Sequence, residues 1–355
     1  MTAERTGPSE APAALIPHVA ERTGPSEAPA ALIPHVAERT GWMFPGQGSQ
    51  RPGMAGGLVE CKELFDTARE ILDVDLARIC TVVSNGGPRG VWPPDLLQPA
   101  LYATCTGASR SLSSRGLSPD AVVGHSLGEY AALTAAGSLA YEDGLRLVSM
   151  RGKAMLAAAR RNPGGMAAVI GLGTHEIAQI CGGIDDVWVA NLNSPSQTVI
   201  SGRDEPLAQA AEACRQAGAK RVVRLEVPIP GHCPLMDTAA LEVEVILAGI
   251  RVKEPICPFY SSVDSAPHTD PAEIKGLLVE AMTSPVRFYD TLQAMQSAGV
   301  ASLVEVGPGR VLCGLAKRSV PDLPTASVGS DAEADTLALA PPASERAGNA
   351  VEDET

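Results

Sequence analysis

A serine set between two glycines, in Gly124-His125-Ser126-Leu127-Gly128, is the residue of this chain best placed to act as a nucleophile. A serine hydroxyl attacks only when one group takes its proton and another stabilises the oxyanion that forms. The flanking sequence suits that task. Asp120 to Val123 is short, apolar and valine-rich, as a buried strand is, and Glu129 to Ala136 is rich in helix formers. Strand, sharp turn and helix are the context of a G-x-S-x-G nucleophile elbow. The glycines relieve crowding at the turn, and the Leu127 N–H at the helix start faces a developing oxyanion. A glycine-flanked loop serine would carry the same five letters, so the rest of the chain has to decide.

The hydroxyl needs a base. His232 lies in Val227-Pro228-Ile229-Pro230-Gly231-His232-Cys233-Pro234, where prolines and a glycine hold the segment out of regular structure and can fix an imidazole rigidly. His18 and His35 fall in a duplicated leader, His175 and His268 in polar sequence, and His125 beside the serine itself. His232 therefore stands by elimination, with an ordinary satisfied histidine left open as the alternative. Asp185, Asp186 and Asp204 lie between Ser126 and His232, but in sequence expected to form a small, solvated domain. A dyad whose imidazole is held by a backbone carbonyl fits better than a triad, which weakens a hydrolase reading.

Positioning these groups takes a sizeable body. The 355 residues are 45% hydrophobic, ample for a core, and no apolar run approaches the roughly 18 to 20 residues of a membrane span. Eight cysteines without a C-x-x-C pair argue against a zinc site or a disulfide framework, and point to reduced thiols in a cytoplasm. A net charge of -13 argues against nucleic acid as a partner. Residues 4–20 and 21–37 are identical copies, and 1–40 reads as a disordered leader. Residues 323–355, made of Ala, Pro, Ser and acid, read as a disordered acidic tail. Between them, Trp42 to Phe44 reads as a strand running into the glycine loop Pro45 to Gln50. Helices follow over 96–113, 126–136 and 141–160. Residues 166–227 give the order β-α-β-β-α-β, a ferredoxin-like unit. The expected fold is α/β: an α/β-hydrolase-like large domain with a parallel sheet (41–165 plus 228–322) and an inserted ferredoxin-like small domain (166–227), with Ser126 at the floor of the cleft between them.

Eight segments then line up with one family. FPGQGSQ at Phe44 to Gln50, LLQPALY at Leu96 to Tyr102, GHSLGEY at Gly124 to Tyr130, MRGKAM at Met150 to Met155, NSPSQTVISG at Asn193 to Gly202, PGHCPLM at Pro230 to Met236, SPVRF at Ser284 to Phe288 and EVGPGRVL at Glu305 to Leu312. Together they resemble the malonyl-CoA:acyl carrier protein transacylases, including discrete acyltransferases that serve polyketide synthases in trans. The resemblance implies Ser126 as the acyl-accepting nucleophile, His232 as general base and acid, and the N–H groups of Gln47 and Leu127 as the oxyanion hole. It implies Arg151 as the carboxylate-binding residue, a role a planar guanidinium fills with two parallel hydrogen bonds. Gln98 and Asn193 match polar positions near the family's site. Ala281 departs from the glutamine common at its place, which leaves a backbone carbonyl able to hold His232.

Gly231 is the other informative choice, because the residue before the histidine lies against the acyl group in this family and a glycine leaves room. One or two methylenes are worth about 1 to 3 kcal/mol in a pocket. The expected reaction is transfer of a malonyl-type unit from CoA to the phosphopantetheine thiol of an acyl carrier protein or polyketide synthase carrier domain, through an acyl-serine. Ethylmalonyl or methylmalonyl selectivity, transfer between carrier proteins and editing hydrolysis are the alternatives. No metal or other cofactor is called for, no nucleic acid or membrane partner is expected, and the protein is expected to act as a cytoplasmic monomer. Arg160, Arg161, Arg287, Arg310, Lys317 and Arg318 are candidates, on charge alone, for a basic rim facing an acidic carrier.

Overall fold

The computed structural model describes residues 39–82, 93–227 and 229–339. The duplicated segments at 4–37 and the last sixteen residues, 340–355, lie outside them. The first described element is strand β1 (Thr40–Phe44), which takes in Thr40, a residue the sequence had placed in the leader. Helices α1 (Cys61–Leu72), α2 (Leu76–Val82) and α3 (Pro94–Ser113) follow, then β2 (Ala121–Gly124), α4 (Gly128–Ala135) and α5 (Tyr141–Arg161). The next unit is β3 (Gly164–Ile170), α6 (Thr174–Gly182), β4 (Val187–Ser194), β5 (Gln197–Arg203), α7 (Asp204–Gln216) and β6 (Arg221–Arg224). The chain then returns through α8 (Asp237–Ala248), β7 (Phe259–Tyr260), β8 (Pro267–His268), α9 (Pro271–Glu280), α10 (Phe288–Ser297), β9 (Ser302–Val306), α11 (Val311–Ser319), β10 (Thr325–Val328) and α12 (Asp331–Ala338).

These elements form two sheets. The larger has the order β10-β9-β1-β2-β7-β8 and is parallel except for the β7–β8 pair. Its central strands β1, β2 and β9 are buried on both faces, as a sheet covered by helices on each side requires. Alternation decides which layer each residue joins. Trp42, Phe44, Val122, Val304 and Val306 enter the larger core, whereas Met43, Ala121, Val123 and Leu303 enter a second core with Phe288, Leu292 and Leu315. The smaller sheet is antiparallel with the order β4-β5-β3-β6, the arrangement of a ferredoxin-like unit, and α6 and α7 supply its apolar layer. The α/β architecture with an inserted ferredoxin-like unit is thus present.

The reading of 323–355 as a disordered tail needs correction. Residues 325–328 add an edge strand to the large sheet, pairing Thr325 to Val328 with Leu303 to Val306. Helix α12 then packs back: the Asp331 carboxylate accepts from Val59 N–H at 2.9 Å, and the Asp331 N–H donates to Gly57 O at 2.8 Å. Backbone pairing and helix capping hold this segment, which is why its low apolar content was a poor guide.

Candidate active site

The site gathers at the carboxyl ends of β1 and β2, where ligands of parallel sheets characteristically bind. Ser126 follows β2 directly and takes the left-handed conformation, φ 54°, uncommon for a residue with a side chain. The turn closes only around glycines. A Cβ at Gly124 would overlap the Glu129 backbone, and one at Gly128 the Phe44 carbonyl. Leu127 stands just ahead of α4, and its N–H has no hydrogen-bond partner among the described residues. The loop after β1 comes close for the same steric reason, since a Cβ at Gly46 would meet the His125 carbonyl. Gln47 follows that contact, and its N–H is likewise without an intramolecular partner among the described residues. Two free amides flank the serine.

His232 also adopts a positive φ, 61°, and is 5% exposed. Its Nδ1–H donates to the Ala281 carbonyl at 2.8 Å, which fixes the tautomer and leaves the Nε2 lone pair 2.8 Å from the Ser126 Oγ. Ala281 is the residue at which α9 ends. A carbonyl at a helix C-terminus carries partial negative charge, so it stands where a triad would place an acid. Burial, and next the nearby Arg151 charge, push the imidazole down to about 3. The group is neutral and able to accept a proton at any physiological pH. Asp186 and Asp204 pair instead with Arg203 and Arg224, away from His232.

Arg151 projects from the middle of α5. Gly152 lets that helix approach α3, since a Cβ there would lie 2.6 Å from the Pro94 carbonyl. The guanidinium is 2% exposed and makes no ion pair among the described residues. Its Nη1 donates to Gln98 Oε1 at 2.9 Å, its Nη2 to Ser126 Oγ at 3.0 Å, and its carbon lies 5.6 Å from the Tyr130 ring centre. The Nε–H is buried without a partner among the described residues. A buried, unpaired positive charge is costly unless an anion completes it, and this one is aimed at the atom that would carry an acyl group. Gln98 is fully buried and orients the arrangement, donating from Nε2 to Gln47 Oε1 at 3.1 Å and to Met155 Sδ at 3.5 Å.

Of the sequence-predicted residues, Ser126, His232, Arg151, Gln98, Gln47 and Leu127 meet in one place. Asn193 stands one residue removed: its Oδ1 contacts His125 Nε2 at 2.8 Å rather than Ser126. Gly231 sits beside Met155 and Met166, whose nearest atoms are 3.6 and 3.8 Å from where a Cβ would be, so the space there is real. A cavity of about 160 Å³ on the small domain, lined by Ala167, Leu207, Ala211 and Arg224 among others, shares no residue with this constellation.

Comparison with known proteins decides the family. Residues 41–341 match the model of the acyl transferase domain. The chain belongs to that family. The malonyl CoA-acyl carrier protein transacylase of Haemophilus influenzae is 39% identical over 295 residues, covering 81% of this chain and 94% of that protein. The Bacillus subtilis protein of the same name is 37% identical over 305 residues, 84% of this chain and 95% of its own length. Among solved structures, a malonyl-transacylase in complex with its type II PKS acyl-carrier protein superposes with a TM-score of 0.80 at 36% identity. That match covers 84% of this chain and 98% of the other.

Two residues of the acyltransferase site escaped the sequence reading. Glu129, inside the elbow segment, is 1% exposed, and its Oε1 accepts from both Ser262 N–H (2.9 Å) and Ser262 Oγ (2.7 Å). Burial pushes its carboxyl up to about 7, against the opposing pull of those bonds and of Arg151. In sequence it looks like an ordinary acid in the first turn of a helix. Met166 was read only as strand, although alternation puts it on the face of β3 opposite Ala167 and Val169, away from the α6–α7 layer. Among the described residues no helix is long and apolar enough to cross a membrane.

Proposed function

We propose that this chain moves a malonyl-type acyl unit from CoA to the phosphopantetheine thiol of an acyl carrier protein, for fatty acid or polyketide synthesis, in the cytoplasm. The observation that carries the reading is the pairing of Arg151 Nη2 and His232 Nε2 on one serine hydroxyl, at 3.0 and 2.8 Å. One group can hold a carboxylate while the other manages the proton. The named relatives and the carrier-bound neighbour support both substrates.

In the first half-reaction His232 Nε2 takes the Ser126 proton as Oγ attacks the thioester carbonyl. The tetrahedral oxyanion accepts from the Gln47 and Leu127 amides, and the proton passes to the departing CoA sulfur. The malonyl carboxylate receives the Arg151 guanidinium. That pairing has a second effect. It neutralises the charge that helps hold the His232 imidazole down, so substrate itself makes His232 a stronger base. In the second half-reaction the carrier thiol gives its proton to His232 as its sulfur attacks the acyl carbonyl, and His232 returns that proton to the departing Ser126 Oγ. The scheme uses only side chains, amides and the two thiols.

Gly231 leaves room for a methyl-sized group in ordinary contact with two flexible thioethers, which favours a second reading, in which a methylmalonyl or ethylmalonyl unit is taken as well. For the carrier, Arg160, Arg310, Lys317 and Arg318 are exposed without an ion pair among the described residues, whereas Arg161 faces Glu242 and Arg287 pairs with Asp290. The basic rim is thereby narrowed to fewer residues than charge alone suggested.

Intact-mass measurement after incubation with malonyl-, methylmalonyl-, ethylmalonyl- and acetyl-CoA tests the proposal. A malonyl-type adduct on wild type, absent from Ser126→Ala and discharged by a holo carrier protein, is the expected result. Adduct discharge to water at the same rate without a carrier would turn the reading toward an editing hydrolase.

A further inference from the structure

The small domain meets the large one beside the nucleophile, at His125. Strand β4 leaves regular register with β5 twice, between Val189 and Asn191 and between Leu192 and Ser194. Bulges of this kind re-aim side chains, and they recur beside active sites. On its other side the irregular stretch pairs with the large domain: Leu192 N–H donates to Val286 O and Val286 N–H to Ala190 O, each at 2.8 Å. The residue just past that pairing is Asn193, whose Oδ1 meets His125 Nε2 at 2.8 Å. The Asn193 Oδ1 can only accept, so the His125 Nε2–H donates; burial lowers the pKa of the imidazole, and the ring packs against Phe288 with centres 5.3 Å apart. His125 immediately precedes Ser126.

The same small sheet supplies one wall of the acyl site. Met166 on β3 packs with Ala168, Ala190 and Val199 on the sheet face turned away from α6 and α7, and its sulfur approaches Gly231 from that side. Met155 of α5 approaches Gly231 from the large domain. The room beside the acyl group is therefore set by how far the small sheet stands from α5, and Asn193 fixes that sheet to the elbow.

We infer that Asn193 and His125 form a positioning latch that sets acyl-group selectivity by holding the Met166 wall at a fixed distance from Met155 and Gly231. The inference rests on the acyltransferase reading above. With the latch in place a malonyl unit fits and a branched unit is accepted within a limited space. Without it the sheet keeps the backbone pairing at Val286 and the side-chain bonds of Ser201 to Cys233 and of Arg318 to Gln197, none of which reaches the elbow, so the wall yields and bulkier units gain relative to malonyl.

Single-turnover acylation of Ser126, followed by intact mass with malonyl- and ethylmalonyl-CoA, reads this out. Asn193→Ala and His125→Ala are expected to shift the malonyl-to-ethylmalonyl ratio of kcat/KM toward ethylmalonyl by about fivefold or more. His125→Gln, whose amide nitrogen can donate to Asn193 from the Nε2 position, is expected to stay within about twofold of wild type on the same scale. Equal losses on both thioesters, or a His125→Gln protein that behaves as His125→Ala, would overturn the latch. Should the alanine variants fold poorly, Asn193→Ser carries the same comparison, its hydroxyl being too short to reach His125. A wild-type protein that forms no adduct with any malonyl-type thioester would count against the acyltransferase reading instead.

Discussion

The large and small domains treat charge in opposite ways. In the small domain no described charged residue is buried: Ala167, Val169, Ile177, Val187, Ile200 and Leu207 stand at the centre of the core, and Arg203, Arg215 and Arg224 pair with acids at the exposed surface. In the large domain Arg151, Glu129, Glu305 and His232 are all buried. Among the described residues Arg151 has no carboxylate partner and Glu305 Oε1 no hydrogen-bond partner, and burial raises the Glu129 carboxyl to about 7. A domain that only has to fold keeps its charges wet, where they cost little. One that must hold a reactive serine, a base and an anion accepts buried charge and is less stable for it.

The strongest way to break that comparison is Arg151→Met. An unbranched apolar side chain fills similar space and removes the unpaired charge, so malonyl transfer is expected to fall by about 10²-fold or more, as for loss of a desolvated charge pair. Preference for malonyl over acetyl should collapse with it. The same variant is expected to unfold at higher urea, by about 1–4 kcal/mol, because no charge remains to be desolvated. Acylation kinetics together with a denaturant titration check both halves. A variant that loses activity and stability together would mean that Arg151 is structural, and that the large domain buries charge for packing.

Glu129→Gln sharpens the comparison through pH. The carboxyl rises from 4.5 to about 7 on folding, so its contribution to stability is fully present below 4.5 and is lost as pH rises through 7. A shift of that size corresponds to about 3 kcal/mol. Glutamine keeps an oxygen for the two Ser262 donors and does not titrate. The wild type is therefore expected to lose about 3 kcal/mol relative to the variant between pH 4.5 and 8. His232 runs the other way: depressed to about 3, it removes stability as pH falls below 6.5. Taking the difference between wild type and Glu129→Gln at each pH isolates the glutamate, and parallel urea midpoints across the range would refute the buried-carboxylate account.

What could be read from the sequence follows from how local each signal is. The elbow is a five-residue pattern with its strand and helix alongside, and the structure places Ser126 as that pattern requires. His232 was legible only in part, because the Pro and Gly around it say that the segment is fixed but not where it points. The Ala281 carbonyl was legible only through the family resemblance, since any residue ending α9 at that place would offer the same oxygen. The segment after Asp322 failed for a related reason. Composition sees little to bury in Thr325 to Ala338, yet β10 is held by backbone pairing and α12 by a capping box. In that box Ser330 Oγ accepts from Glu333 N–H at 3.3 Å, and Glu333 Oε2 accepts from Gly329 N–H at 2.8 Å. Ser330-x-x-Glu333 was the available signal, and it speaks of a helix start whatever the hydropathy. Glu129 shows the converse limit: an acid in a first turn is ordinary, and only the packing around it turns it into a buried one.

The small domain's own charges supply the smallest effect. Glu212 and Arg215 pair at 2.9 Å on the exposed face of α7, and Asp186 and Arg203 at 2.9 Å across a loop, with side chains between 39% and 56% exposed. Double-mutant cycles are expected to give about 0.3–0.5 kcal/mol for the helix pair and under about 1 kcal/mol for the other, both shrinking as salt is raised. Arg203 is the more demanding case, because its Nη2 also donates to Asn162 Oδ1 at 2.9 Å, just where the chain leaves α5 for β3. If Arg203→Ala alone costs much more than the Asp186 coupling, the excess belongs to that Asn162 contact. The small domain would then be anchored at its entry as well as at Asn193, and its charges would be doing in part what the large domain's do.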